Sequence, residues 1–412
     1  MNTAPSAVRL LLAARALRGI ADGFIAVLLP AYLIALGLNA FSVGLISTAT
    51  LAGSALATLA VGAFGHHWPS RRLLLGAALL MTATGLAFAG LSGFWPLLVV
   101  AFVGTLNPSS GDVSVFLPLE QSRLAGAAQG HARTTLFARY SLTGALSAAV
   151  GALAAGLPAL LAAHTHWTLQ QGLRSMFVLY ALLGAGVALL YRSLPRATVL
   201  DSQPAAPLGP SRAIVLRLAA LFCVDSFAGG LLVNALMSLW LFQRFGLSLA
   251  QAGAFFFWAG LLSAASQLAA PAVARRIGLL NTMVFTHIPA SLCLIAAAFT
   301  PQLPAALALL FVRSALSQMD VPARSAFVMA VVTPAERTAA ASFTAVPRSL
   351  ASALSPSLSG AMLAAGWLVA PLALCGVLKI AYDLAILFAF RRVGTTAGDQ
   401  PATAGVKPAA DT

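Results

Sequence analysis

The chain consists of apolar runs of about 20 residues or more, separated by short segments rich in Gly, Pro, Arg and His. Runs of this length are what an α-helix needs to cross the hydrocarbon core of a bilayer. Only 8% of the 412 residues are charged, against roughly 25% in a soluble domain, so a soluble protein could not cover its surface. The sequence therefore predicts an all-α polytopic membrane protein.

The apolar runs predict twelve transmembrane helices, numbered here span 1 to span 12. Their expected ranges, in chain order, are 14–36, 42–64, 72–91, 95–119, 133–162, 173–194, 213–243, 249–271, 279–299, 303–332, 340–366 and 368–391. They divide the chain into a first six-helix half, 1–194, and a second, 213–393. A Pro-rich stretch, 195–212, is predicted to be a cytoplasmic linker, and the polar tail, 394–412, is predicted to be disordered.

The positive charges predict the orientation of the chain in the membrane. If both termini are cytoplasmic, the inner segments hold fifteen of the 24 basic residues: Arg9, Arg15, Arg71, Arg72, Arg123, Arg133, Arg192, Arg196, Arg212, Arg275, Arg276, Arg337, Arg391, Arg392 and Lys407. The outer loops hold only Arg174 and Arg244. This bias predicts a multi-pass protein of the plasma (inner) membrane with both termini inside.

The net charge of +14 therefore reflects cytoplasmic loops and does not indicate a nucleic-acid partner. Cys223, Cys293 and Cys375 are far apart and form no Cys-x-x-Cys pair, so neither a metal site nor a disulfide framework is indicated. No phosphate-binding Gly-rich loop is present, which argues against an ATP-driven pump. We expect no cofactor, and a small-molecule substrate handled by a functional monomer.

The two halves repeat several features in the same order. Asp22-Gly-Phe in span 1 matches Asp225-Ser-Phe in span 7, and each is followed by a similar outer turn. Arg71-Arg72 after span 2 matches Arg275-Arg276 after span 8, and Asp112-Val in span 4 matches Asp320-Val in span 10. The repeat predicts two six-helix bundles related by a pseudo-two-fold axis along the membrane normal.

This 6+6 arrangement, with its short linker, inner termini and basic loops after spans 2 and 8, resembles the major facilitator superfamily of secondary transporters. The loop after span 2 keeps Gly62 and the terminal Arg71-Arg72 of that family's motif but not its internal Asp. The resemblance covers about Arg15 to Arg392. It implies alternating access, in which two halves rock about a central site without ATP.

Two groups of charged residues at membrane depth are candidates for transport roles. Asp22 and Asp225 are expected to bind a proton or a cation, or else to be structural carboxylates. Arg18, one turn before Asp22, is the local partner under the structural alternative. Asp112 with Arg139, and Asp320 with Arg348, are expected to form ion pairs that either open and close an inner gate or are static. Arg324, one turn after Asp320, competes as its partner.

Further polar and aromatic side chains are candidates for substrate binding. Span 4 contains Pro108, and an interrupted helix often marks a transporter site. Glu120, at the end of span 4, is expected to be an interfacial cap. The substrate-binding candidates are Arg18, Tyr32, Asn107, Ser110, Asn234, Trp240, Arg313 and Gln318.

The leading hypothesis is a proton-coupled secondary transporter that exports a small organic solute. The alternative is uptake or uniport of a metabolite, with an anion held by Arg313 or Arg18. A remote alternative is an intramembrane enzyme, since Ser110-Gly111-Asp112 and Tyr382-Asp383 faintly resemble the motifs of intramembrane aspartyl proteases, but their order along the chain is reversed. We expect the chain not to be an enzyme.

Overall fold

The computed structural model describes residues 4–109, 114–127, 130–195, 209–333 and 336–391, and within these ranges the regular structure is entirely helical. The helices are α1 (Ala4–Ala35), α2 (Ala40–Phe64), α3 (Ser70–Gly90), α4 (Phe94–Val103), α5 (Phe116–Ala127), α6 (Gly130–Leu153), α7 (Leu157–His164), α8 (Leu169–Arg192), α9 (Arg212–Gly230), α10 (Asn234–Phe245), α11 (Leu249–Ile277), α12 (Leu279–Phe299), α13 (Leu303–Leu316), α14 (Asp320–Val331), α15 (Arg337–Ala364) and α16 (Ala370–Phe390). Short 3-10 turns lie at Gly65–His67 and Ala154–Gly156.

Each predicted span coincides with one helix or with two consecutive helices, and this confirms the predicted all-α fold class. In the part of the chain that the structure describes, nine helical segments are long and apolar enough to cross a bilayer. Spans 4, 10 and 11 are not among them. Spans 4 and 10 are interrupted, and α15, which forms span 11, contains Pro347, Pro356 and several hydroxyl side chains.

Spans 4, 5, 7 and 10 are each divided into two consecutive helices, and in span 4 this agrees with the interruption expected from Pro108. Span 4 breaks around Pro108, which has no N–H to continue the helical ladder. Span 7 breaks after Gly229 and Gly230, a pair of poor helix formers. A Cβ at Gly230 would lie 2.2 Å from the carbonyl oxygen of Ser352, so the close approach of α9 to α15 requires glycine at this position.

The helix contacts of the first six spans recur in the last six. Spans 1 and 5, 1 and 6, 3 and 6, and 2 and 4 pack together. Spans 7 and 11, 7 and 12, 9 and 12, and 8 and 10 do the same. The protein is therefore two six-helix bundles, referred to below as the first and second bundle. The linker boundaries stay a prediction, because residues 196–208 and 392–412 lie outside the described ranges.

Glu120 of α5 is the centre of a buried polar cluster in the first bundle. Its carboxylate forms an ion pair with Arg18 and accepts hydrogen bonds from the hydroxyls of Tyr140 and, at 2.6 Å, Tyr191. The Arg18 guanidinium also lies over the ring of Phe116, 4.2 Å from its centroid. Glu120 is completely buried, so the expectation of an interfacial cap is wrong. The cluster ties spans 1, 4, 5 and 6 together.

The two bundles approach most closely on the side of the loops 36–39 and 246–248, opposite the N-terminus of α1; we call this the far side. A Cβ at Gly44 of α2 would lie 2.5 Å from the Pro356 carbonyl oxygen of α15. A Cβ at Gly253 of α11 would lie 2.4 Å from the Ala152 carbonyl oxygen of α6. On the opposite, terminal side, α5 and α14 mainly contact helices of their own bundle. Contacts between the bundles are therefore concentrated on the far side.

Glu336, just before α15, holds the start of the second bundle through hydrogen bonds on the terminal side. Its carboxylate accepts hydrogen bonds from the Ser211 hydroxyl and the Thr333 hydroxyl, both at 2.6 Å, and from the Gly209 amide. The hydroxyls of Ser211 and Thr333, more than the backbone amides, hold the pKa of Glu336 at about 2, below its ordinary value of 4.5. The end of the linker region is thereby bonded to the connection between spans 10 and 11.

We expect Gly44→Ala to destabilise the protein by about 1–3 kcal/mol, because its methyl group would displace backbone atoms of α15. Gly62→Ala, on the same helix, is the matched control because nothing lies within 4 Å of its Cβ position. That change should be neutral or stabilise the helix by up to about 1 kcal/mol. Thermal unfolding of the purified variants in detergent measures both. Equal midpoints for the two variants would contradict the far-side contact.

We expect Glu336 to stabilise the fold in a pH-dependent manner. Because folding lowers its pKa from 4.5 to about 2, its contribution is present above pH 4.5 and is lost as the pH falls through about 2. Glu336→Gln should therefore unfold at a lower temperature than wild type at neutral pH. The difference between the two midpoints should shrink between pH 4.5 and about pH 2. A difference that is constant over this pH range would contradict the assignment.

Candidate functional site

Asp225 of α9 is the centre of a buried network of charged side chains in the second bundle. Its Oδ1 accepts a hydrogen bond from Lys379 Nζ of α16 at 2.7 Å, and its Oδ2 accepts one from Arg324 Nη1 of α14 at 3.1 Å. Arg324 also forms an ion pair with Asp320, one turn earlier. A single carboxylate therefore joins spans 7, 10 and 12, at a position where an unpaired charge would be costly.

His287 of α12 extends this network to a second carboxylate. Its Nδ1 lies 3.0 Å from both carboxylate oxygens of Asp383. Its Nε2 lies 3.3 Å from Lys379 Nζ and 3.9 Å from Asp225 Oδ1. We define the Asp225 network as Asp225, His287, Asp320, Arg324, Lys379 and Asp383. Each of these side chains is buried or nearly so.

Helix interruptions position the two central acids of the network. Asp225 lies five residues before the end of α9, close to the break in span 7. Asp320 is the first residue of α14, immediately after the break in span 10. At that position its carboxylate faces the positive end of the helix dipole. The guanidinium of Arg324 lies over the Phe222 ring, 5.5 Å from the centroid, and this packs the pair against α9.

The structure brings together some of the predicted charged residues and separates others. Asp320 binds Arg324, the nearer of its two predicted partners, whereas Arg348 donates to the Ser226 hydroxyl at 3.1 Å. Arg139 is exposed, and Asp112 lies outside the described residues. Neither predicted gate pair is therefore observed among the described residues.

Asp22 is buried in the first bundle, in surroundings unlike those of Asp225. It lies close enough to Arg18 and Tyr180 to interact with them electrostatically. Arg18 itself is the partner of Glu120, as described above. The sequence repeat makes Asp22 and Asp225 equivalent, and Asp225 lies in a network in which its carboxylate bonds two cations.

Two aromatic substrate candidates are in the interior of the bundles. Tyr32 is completely buried, donates its hydroxyl to the Phe88 carbonyl and packs against Phe177 at a centroid distance of 4.5 Å. Trp240 is completely buried and donates Nε1–H to the Leu368 carbonyl at 2.8 Å. The polar atoms of both side chains are thus used within the fold.

The other substrate candidates lie at or near the helix interruptions. Asn107 accepts hydrogen bonds from the amide and the hydroxyl of Ser109, at 3.1 and 2.7 Å, and so closes the turn that interrupts span 4. Asn234 begins α10 and is half-buried. Gln318 accepts a hydrogen bond from Gln267 at 3.2 Å in the break of span 10. Ser110 lies outside the described residues.

The interruptions of spans 4 and 7 meet across the interface between the bundles. The amide N–H of Ala235, at the start of α10, donates to the carbonyl oxygen of Pro108 at 2.9 Å. Pro108 belongs to the first bundle and Ala235 to the second. A helix start and a broken helix therefore satisfy each other's backbone groups, which inside a membrane have no water to bond.

Sequence reasoning missed three members of the Asp225 network as site residues. Lys379 and Asp383 are one turn apart and suggest a local ion pair, but they bind Asp225 and His287 instead. His287 is a single polar residue in the apolar run of span 9. Its position opposite Asp383 of span 12 is set by the packing of α12 on α16. The one available signal was an ionisable residue at membrane depth.

Comparison with known proteins gives consistent matches over nearly the whole chain. An uncharacterized membrane protein of Saccharomyces cerevisiae is 24% identical over 419 residues, covering 93% of this chain and 94% of the yeast protein. A bacterial homolog to the human lysosomal transporter Spinster, in an inward-facing and occupied conformation, has a TM-score of 0.72 at 16% identity, covering 98% of this chain and 100% of that one. A mutant of the nucleoside transporter NupG has a TM-score of 0.70 at 15% identity, covering 93% and 98%.

The sequence profile described as Major Facilitator Superfamily matches residues 11–319, well over half of the 412 residues. This agrees with the two six-helix bundles and with a charged network at membrane depth. The chain therefore belongs to the Major Facilitator Superfamily, and it is a multi-pass membrane transporter of a small solute.

Proposed function

We propose that the protein is a proton-coupled secondary transporter that exports a small organic solute, and that Asp225 is its coupling carboxylate. The observation that carries the proposal is the binding of Asp225 by two cations on two other helices, Lys379 and Arg324. Each of these ion pairs can be exchanged for a proton on the carboxylate, and the exchange frees a helix that the pair held. Proton binding would then be coupled to relative movement of spans 7, 10 and 12.

Asp22 is the weaker of the two carboxylates proposed for coupling. Its neighbours include Arg18, which is held by Glu120, Tyr140 and the ring of Phe116. Because Arg18 would keep these partners if Asp22 were protonated, a proton on Asp22 would release no helix contact made by Arg18. We therefore assign Asp22 a structural role in the first bundle and retain Asp225 for proton coupling.

The conformation of the bundles supports access of a solute from the terminal side. The contacts between the bundles are concentrated on the far side, so that a solute would reach the middle from the terminal side. The bias of positive charges toward the terminal-side loops favours a cytoplasmic location for that side. The similar Spinster homolog is described as inward-facing. We propose that solute is loaded there and released outside, by a monomer in the plasma membrane.

We expect Asp225→Asn to abolish proton movement coupled to solute. The test uses protein in liposomes with a trapped pH-sensitive dye, and a panel of drugs, sugars, amino acids and organic acids. The proton signal that accompanies the active compound should fall at least about tenfold, because an amide does not take up a proton at these pH values. Asp22→Asn is the matched control and should keep the signal.

Asp225→Asn removes the carboxylate that neutralises Lys379 and Arg324, and an unneutralised buried charge can also unfold the protein. Asp225→Asn combined with Lys379→Gln removes one charge of each sign and is the second variant. If this double variant folds and still couples protons to the active compound, Asp225 is not the coupling carboxylate. If wild type moves a compound without any proton signal, the protein is not proton-coupled.

A second candidate function, uptake or uniport of an anionic metabolite, is favoured by an excess of cations in the second bundle. Away from the ends of its spans, the buried and half-buried cations are Arg313, Arg324, Arg348 and Lys379, against three acids, Asp225, Asp320 and Asp383. Within the described residues, Arg313 and Arg348 form no ion pair with an acid. A buried or half-buried guanidinium without an acid partner favours a bound anion.

We expect Arg348→Gln and Arg313→Gln to weaken transport of the organic acids in the panel if this second function holds. The concentration for half-maximal transport should rise about tenfold, since a charge-assisted bond contributes about 1.5–3 kcal/mol. Arg139→Gln is the control, because Arg139 is the counterpart of Arg348 in the repeat and is exposed. Unchanged transport of acids in both test variants would exclude an anion site at these arginines.

A further inference from the structure

The two ring nitrogens of His287 have different partners, and these partners define its protonation state. A carboxylate only accepts hydrogen bonds, so the contact of 3.0 Å between Nδ1 and Asp383 requires a proton on Nδ1. An ammonium group only donates, so the contact of 3.3 Å between Lys379 Nζ and Nε2 requires a lone pair on Nε2. His287 is therefore neutral in this arrangement, with its proton on Nδ1 and its lone pair shared with Lys379.

Lys379 is shared between two acceptors. Its ammonium donates to Asp225 Oδ1 at 2.7 Å and to His287 Nε2 at 3.3 Å. The same Asp225 Oδ1 lies 3.9 Å from His287 Nε2. A small rotation of the ring or of the carboxylate would bring these two atoms into hydrogen-bond range once Lys379 no longer occupies the space between them.

We propose that His287 is a second proton-binding group of the coupling site beside Asp225, that it binds a proton at Nε2, and that this displaces Lys379 from the Asp225 network. The proposal rests on the proton-coupled function above and names a further residue for it. An N–H bond forms between Nε2 and a proton delivered by water, and Nδ1 keeps its own proton on Asp383. The imidazolium then donates to Asp225 Oδ1 in place of Lys379, which keeps its three protons and turns away as a free cation.

The charges around His287 favour this exchange. Asp225 faces it from α9 and Asp383 from α16, and both favour the imidazolium. Lys379 of α16 disfavours the imidazolium of His287, and Lys379 is the group that is displaced. Arg324 of α14 is neutralised by Asp320.

The remaining groups near His287 are not expected to decide its protonation. The Tyr382 ring of α16 lies 6.3 Å from the imidazole ring, centroid to centroid. Arg348 of α15 is bonded to Ser226. The charged residues of the other helices that pack on α12 are Arg313 of α13 and Arg275 and Arg276 of α11, and within the described ranges none of them is hydrogen-bonded to His287.

Binding of the proton changes which helices are linked by hydrogen bonds. In the neutral state, Lys379 links α16 to α9 through Asp225 and to α12 through His287. In the protonated state, Asp225 is bonded directly to α12, and α16 keeps its link to α12 only through Asp383. The freed ammonium is then available to an acidic group of a solute, or to water in the space between the bundles. One proton thus replaces the contact between α16 and α9 by a contact between α12 and α9.

The test is nuclear magnetic resonance of the full-length protein in lipid nanodiscs, with ¹⁵N-labelled histidine. The chain has six histidines, and a variant with His66, His67, His131, His164 and His166 changed to Gln retains only His287. At neutral pH we expect one protonated and one unprotonated ring nitrogen. Acidification to about pH 5 should protonate both.

Two charge variants separate a proton site from a merely structural histidine. Lys379→Gln removes the displaced cation, so that an about tenfold lower proton concentration, or less, should half-protonate His287. Asp383→Asn removes the carboxylate at Nδ1, so that an about tenfold higher concentration should be needed. A histidine in a static hydrogen bond would show no second protonation in wild type and neither of these shifts.

The proposal is overturned if His287 keeps one protonation state from about pH 5 to about pH 8 in wild type. This holds whether or not the liposomes move protons. It is equally overturned if Lys379→Gln leaves the titration of His287 unchanged, since Lys379 would then not compete with the proton. The proposed function fails separately, when wild-type liposomes move a compound with no proton signal, and the resonance measurement does not depend on that result.

Discussion

An ionised side chain inside the hydrocarbon layer must be neutralised by another side chain or face a water-filled cavity. In the second bundle this requirement is met by Asp225, which binds Lys379 and Arg324 at once. Asp320, His287 and Asp383 complete the compensation. The packing of α9, α12, α14 and α16 depends on this balance, so that any change in protonation at one member changes the contacts of several helices.

The two bundles share a topology but neutralise their buried charges with different kinds of side chain. In the first bundle, Glu120 accepts from Arg18, Tyr140 and Tyr191, and the guanidinium packs on Phe116. Tyrosine hydroxyls do not become cations, so this cluster has one stable arrangement. In the second bundle, a flexible lysine and a histidine take the place of such fixed donors. The first bundle is therefore suited to rigidity, and the second to exchange of partners.

The sequence is sufficient to predict the class of fold, because the apolar runs, the charge bias and the repeat are properties of the linear chain. It also identifies Asp225, Asp320 and Arg324 as candidates, since a charge in an apolar run is conspicuous. It fails where the answer depends on rotation of one helix against another. Lys379 faces Asp225 and not Asp383, and Glu120 faces the interior and not the membrane surface. These orientations are set by packing between segments about 100 or more residues apart, for which a single sequence contains no direct signal.

The hydrogen bond between the Pro108 carbonyl and the Ala235 amide joins the two bundles through main-chain atoms alone. It lies where both spans are interrupted. Side-chain replacement at either residue leaves the donor and the acceptor intact, and only a proline at position 235 would remove the donor. This link between the bundles is therefore insensitive to most substitutions of the side chains around it.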